Sequence, residues 1–371
     1  MHEHKEVAHA QRDRAAYYPH MPSAIVIGAG PAGSVAAFVL ASAGWDVTVI
    51  EQHRFPRDKV CGECLSALGI TCLKRLGLFA AIENSGAVPL RWAVLRTANG
   101  DSGRIKLPEP MWGLSRSVLD ATLLNGARDA GASIQQPARF EGFEGAAVRI
   151  RNLESNEVRS LQADHVIIAD GKPPKRRWRD FGIKAHFEGL NGPVGAIELF
   201  GCRGLYGGIA PIENGRWNLC FSVPAKRVQR SGGNIDSLFE QIRTENPALD
   251  QRLKSGTRMT RWLSAPLPRF QAAAIFGSNA LRVGNAAAAL EPIGGEGMGL
   301  AIASAEIAAQ SLIKGQLDSL DSQYKSLWRI RRLGCRVAGL VVSRPMLLRL
   351  PVLLFQPSTP IPAFGFSLIG K

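Results

Sequence analysis

Nowhere does this chain run for about twenty residues on apolar side chains alone, so no segment is expected to cross a membrane as one helix. The stretch VAGLVVSRPMLLRLPVLLFQPSTPIPAFGF comes closest, and Arg344, Pro345, Arg349 and Pro351 interrupt it. Cysteine is sparse and irregular: six residues, with a lone CxxC at Cys61 to Cys64 and no second pair, which argues against structural zinc. Free thiols in a reducing compartment are the expectation. Residues 1–21 have no apolar core, so they are no secretory signal; a disordered leader is expected, with Met21 as an alternative start. The Lys and Arg residues follow no helix-turn-helix, zinc or RNA-binding pattern, so no nucleic-acid partner is expected. The net charge of +14 and pI near 9.9 favour instead anionic ligands, acidic partners or a membrane surface.

What is present is an enzyme-sized, packable chain. Its 371 residues, 46% of them hydrophobic, suit two intertwined domains in the cytoplasm. The segment LWRIRRLGCR mixes Trp328, Ile330 and Leu333 with four arginines. Two readings stand for it and the tail beyond: a peripheral surface for a membrane or a partner protein, or a helix packed on the body with its arginines in water.

SAIVIGAGPAGSVAAFVLASAGWDVTVIEQ carries the clearest signal. Ala24 to Ile27 reads as a buried parallel strand. Gly28, Gly30 and Gly33 then form GxGxxG: the first makes a tight turn, the second admits a pyrophosphate, and the third packs helix against strand. The helix points its N-terminal amides at the phosphates and ends at Gly44. Asp46 to Ile50 forms the next strand, and Glu51 at its tip is placed to accept from a ribose hydroxyl pair. An acid there favours FAD or NAD over NADP as the tightly held dinucleotide.

A second glycine turn lies in LRVGNAAAALEPIGGEGMGLAIASAEIAA. Leu281 to Val283 reads as a short strand ended by Gly284-Asn285. Pro292, Gly294, Gly295 and Gly297 form an anion-friendly turn, and an Ala-rich helix is expected from about Met298. Such a helix end suits the negative charge of a reduced flavin.

These motifs, with RDKVCGE (Arg57 to Glu63), LSRSVLDATLLNGARDAGA (Leu114 to Ala132) and ADG (Ala169 to Gly171) in order, resemble the FAD-dependent enzymes of the p-hydroxybenzoate-hydroxylase fold. CGE and GEGMGLA are most similar to the geranylgeranyl-reductase-like branch. The resemblance implies an α/β (with α+β elements) chain: a Rossmann-like FAD-binding domain with a parallel sheet, plus an inserted antiparallel-sheet substrate domain. The boundaries are drawn at 22–90 with 113–182 and 277–315 for FAD, and 91–112 with 183–276 for substrate. Residues 316–371 form a helical, apolar tail.

It further implies that Gly28, Gly30, Pro31, Ala32, Gly33, Glu51 and Gln52 serve the adenine end and pyrophosphate. Arg57, Arg116, Asp170 and Gly171 would contact the cofactor from neighbouring segments. Gly284, Asn285, Pro292, Gly295, Gly297 and Met298 would take the ribityl chain and ring. Asn285 stands where the family usually carries Asp, keeping an acceptor oxygen without the charge. Cys61 and Gly62 would frame the flavin ring, with Cys61 as the candidate catalytic residue. Cys64 is its candidate redox partner and Glu63, if buried, a candidate proton donor. After ADG, KPPKRRWR is either a site for NADPH phosphates or a solvated loop. No metal is expected.

The runs RWAVLRT, RIKL, KAHFEG, GAIELF, LYGGIAPI and RWNLCFSV read as an antiparallel lid over the flavin, with Asn99-Gly100 and Asn214-Gly215 as turns. NPALDQRLKSG reads as a helix returning the chain to the FAD domain. Trp92, Trp112, Tyr206 and Trp217 are candidate pocket residues. Gly208 and Ala210 replace the aromatics that prenyl reductases carry, leaving more room and less gripping surface. The first expectation is therefore a monooxygenase that hydroxylates a hydrophobic or aromatic metabolite, with FAD and with NAD(P)H as electron donor. The second is reduction of C=C bonds in a prenyl or lipid chain, and the third a flavoprotein that matures a partner protein.

Overall fold

The computed structural model describes residues 21–171, 180–268 and 280–355. The expected leader, the KPPKRRWR segment and the end of the tail lie outside them. Five parallel strands form the first layer, in the order Leu281–Arg282, His165–Ile168, Ser23–Ile27, Asp46–Ile50 and Ser133–Gln135. Their side chains alternate between two cores, as pleating requires. Ala24, Val26, Val47, Val49 and Ile167 face the helices Pro31–Ser42, Arg116–Asp129 and Glu296–Lys314. Ile25, Ile27, Ile50 and Val166 face a three-stranded antiparallel sheet built from Ala138–Glu144, Ala147–Asn152 and Val158–Leu161.

A nine-stranded sheet forms the second unit, with Asp180–Glu188, Trp217–Pro224, Leu205–Pro211, Ala196–Cys202, Val88–Arg96 and Ser102–Gly113 side by side. It is antiparallel except where Ala196–Cys202 runs parallel to Val88–Arg96, a departure from the expected all-antiparallel lid. Its outer face packs Phe187, Phe200, Leu219 and Phe221 against Leu238, Ile242 and Leu249. The helix Pro247–Leu253, expected to return the chain to the first unit, belongs to this outer core. Trp217 also lies there, so it lines no pocket at the domain interface. The short strand Cys64–Leu65 joins the edge of this sheet, pairing with Gly113 and Trp112. The expected boundaries at 90/91 and 182/183 fall inside the strands Val88–Arg96 and Asp180–Glu188.

The last described elements are the helices Leu320–Val342 and Pro345–Leu354, bent by 106° at Ser343-Arg344. Leu320, Tyr324, Trp328 and Cys335 bury one side of the first against the main core. Its opposite side exposes Ile330, Leu333, Val337 and Leu340, followed beyond the bend by Met346, Leu350 and Leu353. Among the described residues no single helix is long and apolar enough to cross a membrane.

Candidate functional site

The first glycine turn is dictated by close backbone approach. Gly28 has φ +99°, and a Cβ there would lie 2.7 Å from the Ala169 carbonyl oxygen. A Cβ on Gly33 would lie 1.7 Å from the Gly28 oxygen, so both positions exclude any larger residue. Gly30 differs: its Cβ would meet only Arg116 Nη2, at 3.8 Å, which leaves the mouth of the turn open. Pro31 and Ala32 start the helix, with no acid in its first turn.

Glu51 is buried at the strand tip, as expected, but both its oxygens are engaged by backbone. Oε2 accepts from Ala29 N and Oε1 from His53 N, each at 2.9 Å, so Glu51 pins the glycine turn itself. Gln52 is part-buried beside it.

Three cations gather at this turn. Arg116 is buried and forked onto Asp120, with Nε–Oδ1 at 2.7 Å and Nη2–Oδ2 at 2.6 Å. Burial opposes its charge, but Asp120 outweighs burial and raises its pKa. Lys59 is part-buried, with Nζ 3.7 Å from where a Gly171 Cβ would stand. Burial, then Arg116 and Arg57, pull Lys59 down to about 8. The buried Arg57 Nε has no hydrogen-bond partner. Arg57 and Lys59, beside an Arg116 that Asp120 neutralises, leave positive charge around an open glycine turn, the electrostatic signature of an anion site. Asp170 lies against the same turn, its Cα 3.0 Å from a Cβ built on Gly28.

Cys61 to Cys64 bridges the two units. Asn218 Nδ2 donates to the Cys61 oxygen at 3.0 Å, and a Cβ on Gly62 would meet nothing within 4 Å. Glu63 takes φ +57° and buries its carboxylate completely. Oε1 receives the Arg116 amide at 2.8 Å and the Lys184 ammonium, while Oε2 lies 2.7 Å from His186 Nε2. Burial pushes the Glu63 carboxyl up, but the His186 hydrogen bond and the charges of Lys184 and His186 outweigh it and hold it low. Glu63 is therefore ionised, which corrects its reading as a proton donor. Cys61 and Cys64 are both free thiols, and burial drives Cys64 far above the ordinary thiol range. A thiol so hard to ionise is a poor half of a redox pair.

The second turn packs onto this loop. Gly284, at φ +58°, brings its Cβ position within 3.0 Å of Ala32 Cβ and donates its N–H to Ser304 Oγ at 3.0 Å. Asn285 and Pro292 are exposed beside it. Gly295 is left-handed at φ +64° and caps the helix, so the helix starts at Glu296, two residues before the expected Met298. Gly295 lies against Met111 and Cys64, whereas Gly297 faces open space. Glu296 is buried, and burial raises it to about 7 against the pull of Arg331, whose Nε is 3.6 Å from Oε2. Met298 is buried in the core below.

All of the expected cofactor segments therefore converge on one seam between the parallel sheet and the nine-stranded sheet. Lys59, Lys184, His186 and Asn218 were missed. Lys184 and His186 carry one readable trace, two polar residues alternating with Ala185 and Phe187 in an apolar strand.

Comparison with known proteins agrees with this geometry. A family model described as FAD binding domain matches residues 21–316. The chain is 29% identical to a menaquinone reductase of Mycobacterium tuberculosis over 371 aligned positions, covering 90% of this chain and 85% of that one. It is 27% identical to a menaquinone reductase of Mycolicibacterium smegmatis, covering 82% and 78%. The crystal structure of a geranylgeranyl bacteriochlorophyll reductase-like protein from Thermoplasma acidophilum superimposes with a TM-score of 0.78 at 20% identity, over 95% of this chain and 96% of that one.

Proposed function

Because the chain belongs to the FAD binding domain family and is a FAD-dependent oxidoreductase, we propose that it reduces a water-insoluble, double-bonded substrate such as a prenyl quinone or prenyl lipid. NAD(P)H is the proposed electron donor. The residues of the seam suit the cofactor. The FAD pyrophosphate belongs at Gly28 to Gly33, with Arg57, Lys59 and Arg116 to neutralise it. The adenine ribose belongs beside Glu51 and Gln52, and the flavin end at Gly62 and Gly297, where side-chain-free backbone leaves room, and at the exposed Asn285. Once reduced, FAD supplies a hydride; the protein's own part is to hold the substrate against it and keep water out.

The observation that carries the reductase reading is the apolar, basic C-terminal helix pair. Between Ser322 and Phe355 there is no Asp or Glu, while Arg329, Arg332, Arg336, Arg344 and Arg349 interleave with the exposed Ile330, Leu333, Val337, Leu340, Met346 and Leu350. Such a face suits the surface of an anionic bilayer, where a prenyl substrate resides. The likeness to the menaquinone reductases over most of the chain supports the same substrate class.

The test is anaerobic. Flavin bleached with NADPH is mixed with menaquinone in anionic vesicles, and its yellow colour is expected to return as one substrate double bond is saturated. If colour returns only with oxygen and the product carries a hydroxyl, the monooxygenase reading replaces this one.

A further inference from the structure

In register across two strands, Lys184 faces Cys220 and His186 faces Asn218, all on the sheet face turned toward the Cys61–Cys64 loop. Lys184, His186, Asn218 and Glu63 are each at most 1% exposed. An ion cluster so deep costs desolvation energy that apolar side chains of equal size avoid. Asp58, Glu63 and His186 bring ligand atoms within 4.8 Å of one another, but the Lys184 ammonium already supplies the cation that Glu63 needs.

The hydrogen bonds give the cluster a direction. Glu63 is ionised, so the hydrogen it shares with His186 resides on Nε2. That leaves Nδ1 as the variable nitrogen, and it is buried without a partner. Asn218 Oδ1, on the next strand, is likewise buried and unpaired, while its Nδ2 is committed to the Cys61 oxygen. Two orphaned polar atoms beside the loop expected to frame the flavin mark a place where a ligand group completes the hydrogen bonding. At the other end, Lys184 Nζ lies 3.5 Å from Asp58 Oδ1, whose side chain is 38% exposed. Asp58, Lys184 and Glu63 therefore form a chain of ion pairs that holds the imidazole by Nε2.

We propose that His186 delivers, from Nδ1, the proton that accompanies reduction of the substrate, with Glu63 orienting the imidazole through Nε2 and the Lys184–Asp58 pair holding Glu63 in place. The proposal rests on the reductase reading. In the balanced step, one substrate π bond breaks and two bonds to hydrogen form. One hydrogen arrives as hydride with its electron pair from the reduced cofactor. The other leaves His186 Nδ1 as a proton, converting imidazolium to neutral imidazole, and a water proton returns to Nδ1 from the ligand side once product has left. The titratable groups around the imidazole are Glu63, Asp58 and Lys184, with Cys220 opposite Lys184 on the next strand.

Holoprotein labelled with 15N-histidine, with the variants His186→Gln and Glu63→Gln, tests this. In the wild type, nitrogen shifts of His186 should place a hydrogen on Nε2, shared with Glu63. Glu63→Gln should move the hydrogen toward Nδ1. With pre-reduced flavin, His186→Gln should slow reoxidation by menaquinone about 10²–10⁴-fold and abolish its solvent deuterium isotope effect, while reoxidation by ferricyanide stays within about twofold. A His186 with its hydrogen on Nδ1 and a bare Nε2 overturns the proposal. So does an equal loss against ferricyanide, which signals a structural role, and so does unchanged menaquinone turnover. Wild-type flavin that no apolar double-bond acceptor reoxidises overturns the reductase reading first, and the proton step with it.

Discussion

The two glycine turns meet similar steric limits with different partners. At the first, the forbidden Cβ of Gly33 meets the backbone of Gly28, five residues away. At the second, Gly295 meets Met111 and Cys64, and Gly299 meets Ser66 and Gly69, all on elements far earlier in the chain. The charge around them differs too. Arg57, Lys59 and Arg116 surround the first, while the second holds the buried acid Glu296 beside the neutral Asn285. The first turn is closed by backbone, its own at Gly33 and the neighbouring strand's end at Gly28, so its shape is fixed once those strands pair. A turn closed by distant side chains depends on tertiary packing, and its electrostatics are open to adjustment.

That contrast breaks most sharply at Gly33. Gly33→Ala sets a methyl against a carbonyl oxygen, so a loss above about 3 kcal/mol is expected, seen as a lowered melting temperature and absent flavin. At the second turn, Glu296 has its pKa raised from 4.5 to about 7. A raised acid favours the fold while protonated: the contribution is full below about 4.5 and is lost as pH rises through about 7. Thermal unfolding between these limits should show a loss of about 3 kcal/mol that Glu296→Gln flattens. A variant whose profile still falls like the wild type would assign that slope to other groups.

Lys59 gives the smaller, opposite-signed probe of the first turn. A diphosphate prefers Lys59 protonated, so FAD affinity should weaken as pH rises through about 8. Calorimetry at that pH should record uptake of about half a proton, and Lys59→Gln should lose that uptake with about tenfold in affinity. Smallest of all is Gly297→Ala, whose methyl meets nothing within 4 Å. Its melting should stay within about 0.5 kcal/mol of the wild type, so any fall in flavin retention would come from the ligand's side.

Legibility followed the same division. Strand, GxGxxG, helix, strand and terminal acid stand within thirty-odd residues, and each was readable because local geometry demands it. Glu51 stands at the strand tip as read, yet its engagement by the amides of Ala29 and His53 is a tertiary fact that no spacing announces. The start at Glu296 was missed because Gly295, not the apolar pattern, sets the cap. The parallel pairing of Ala196 with Trp92 joins distant segments, and alternation within a strand is blind to its neighbour's direction. The Glu63 cluster was hidden for a like reason: its members come from a loop and a strand more than a hundred residues apart. Only the polar pair Lys184 and His186 hinted that one face of that strand does more than pack.

Glu63 also has a mechanical meaning. One carboxylate clamps the Cys61–Cys64 loop, the amide of Arg116 and the strand bearing Lys184 and His186. Prying the two sheets apart here would strand an anion opposite a buried ammonium, at a cost of several kcal/mol. Any rocking of one unit on the other must therefore turn about Glu63 as a fixed hinge pin, with travel growing toward the edges remote from it.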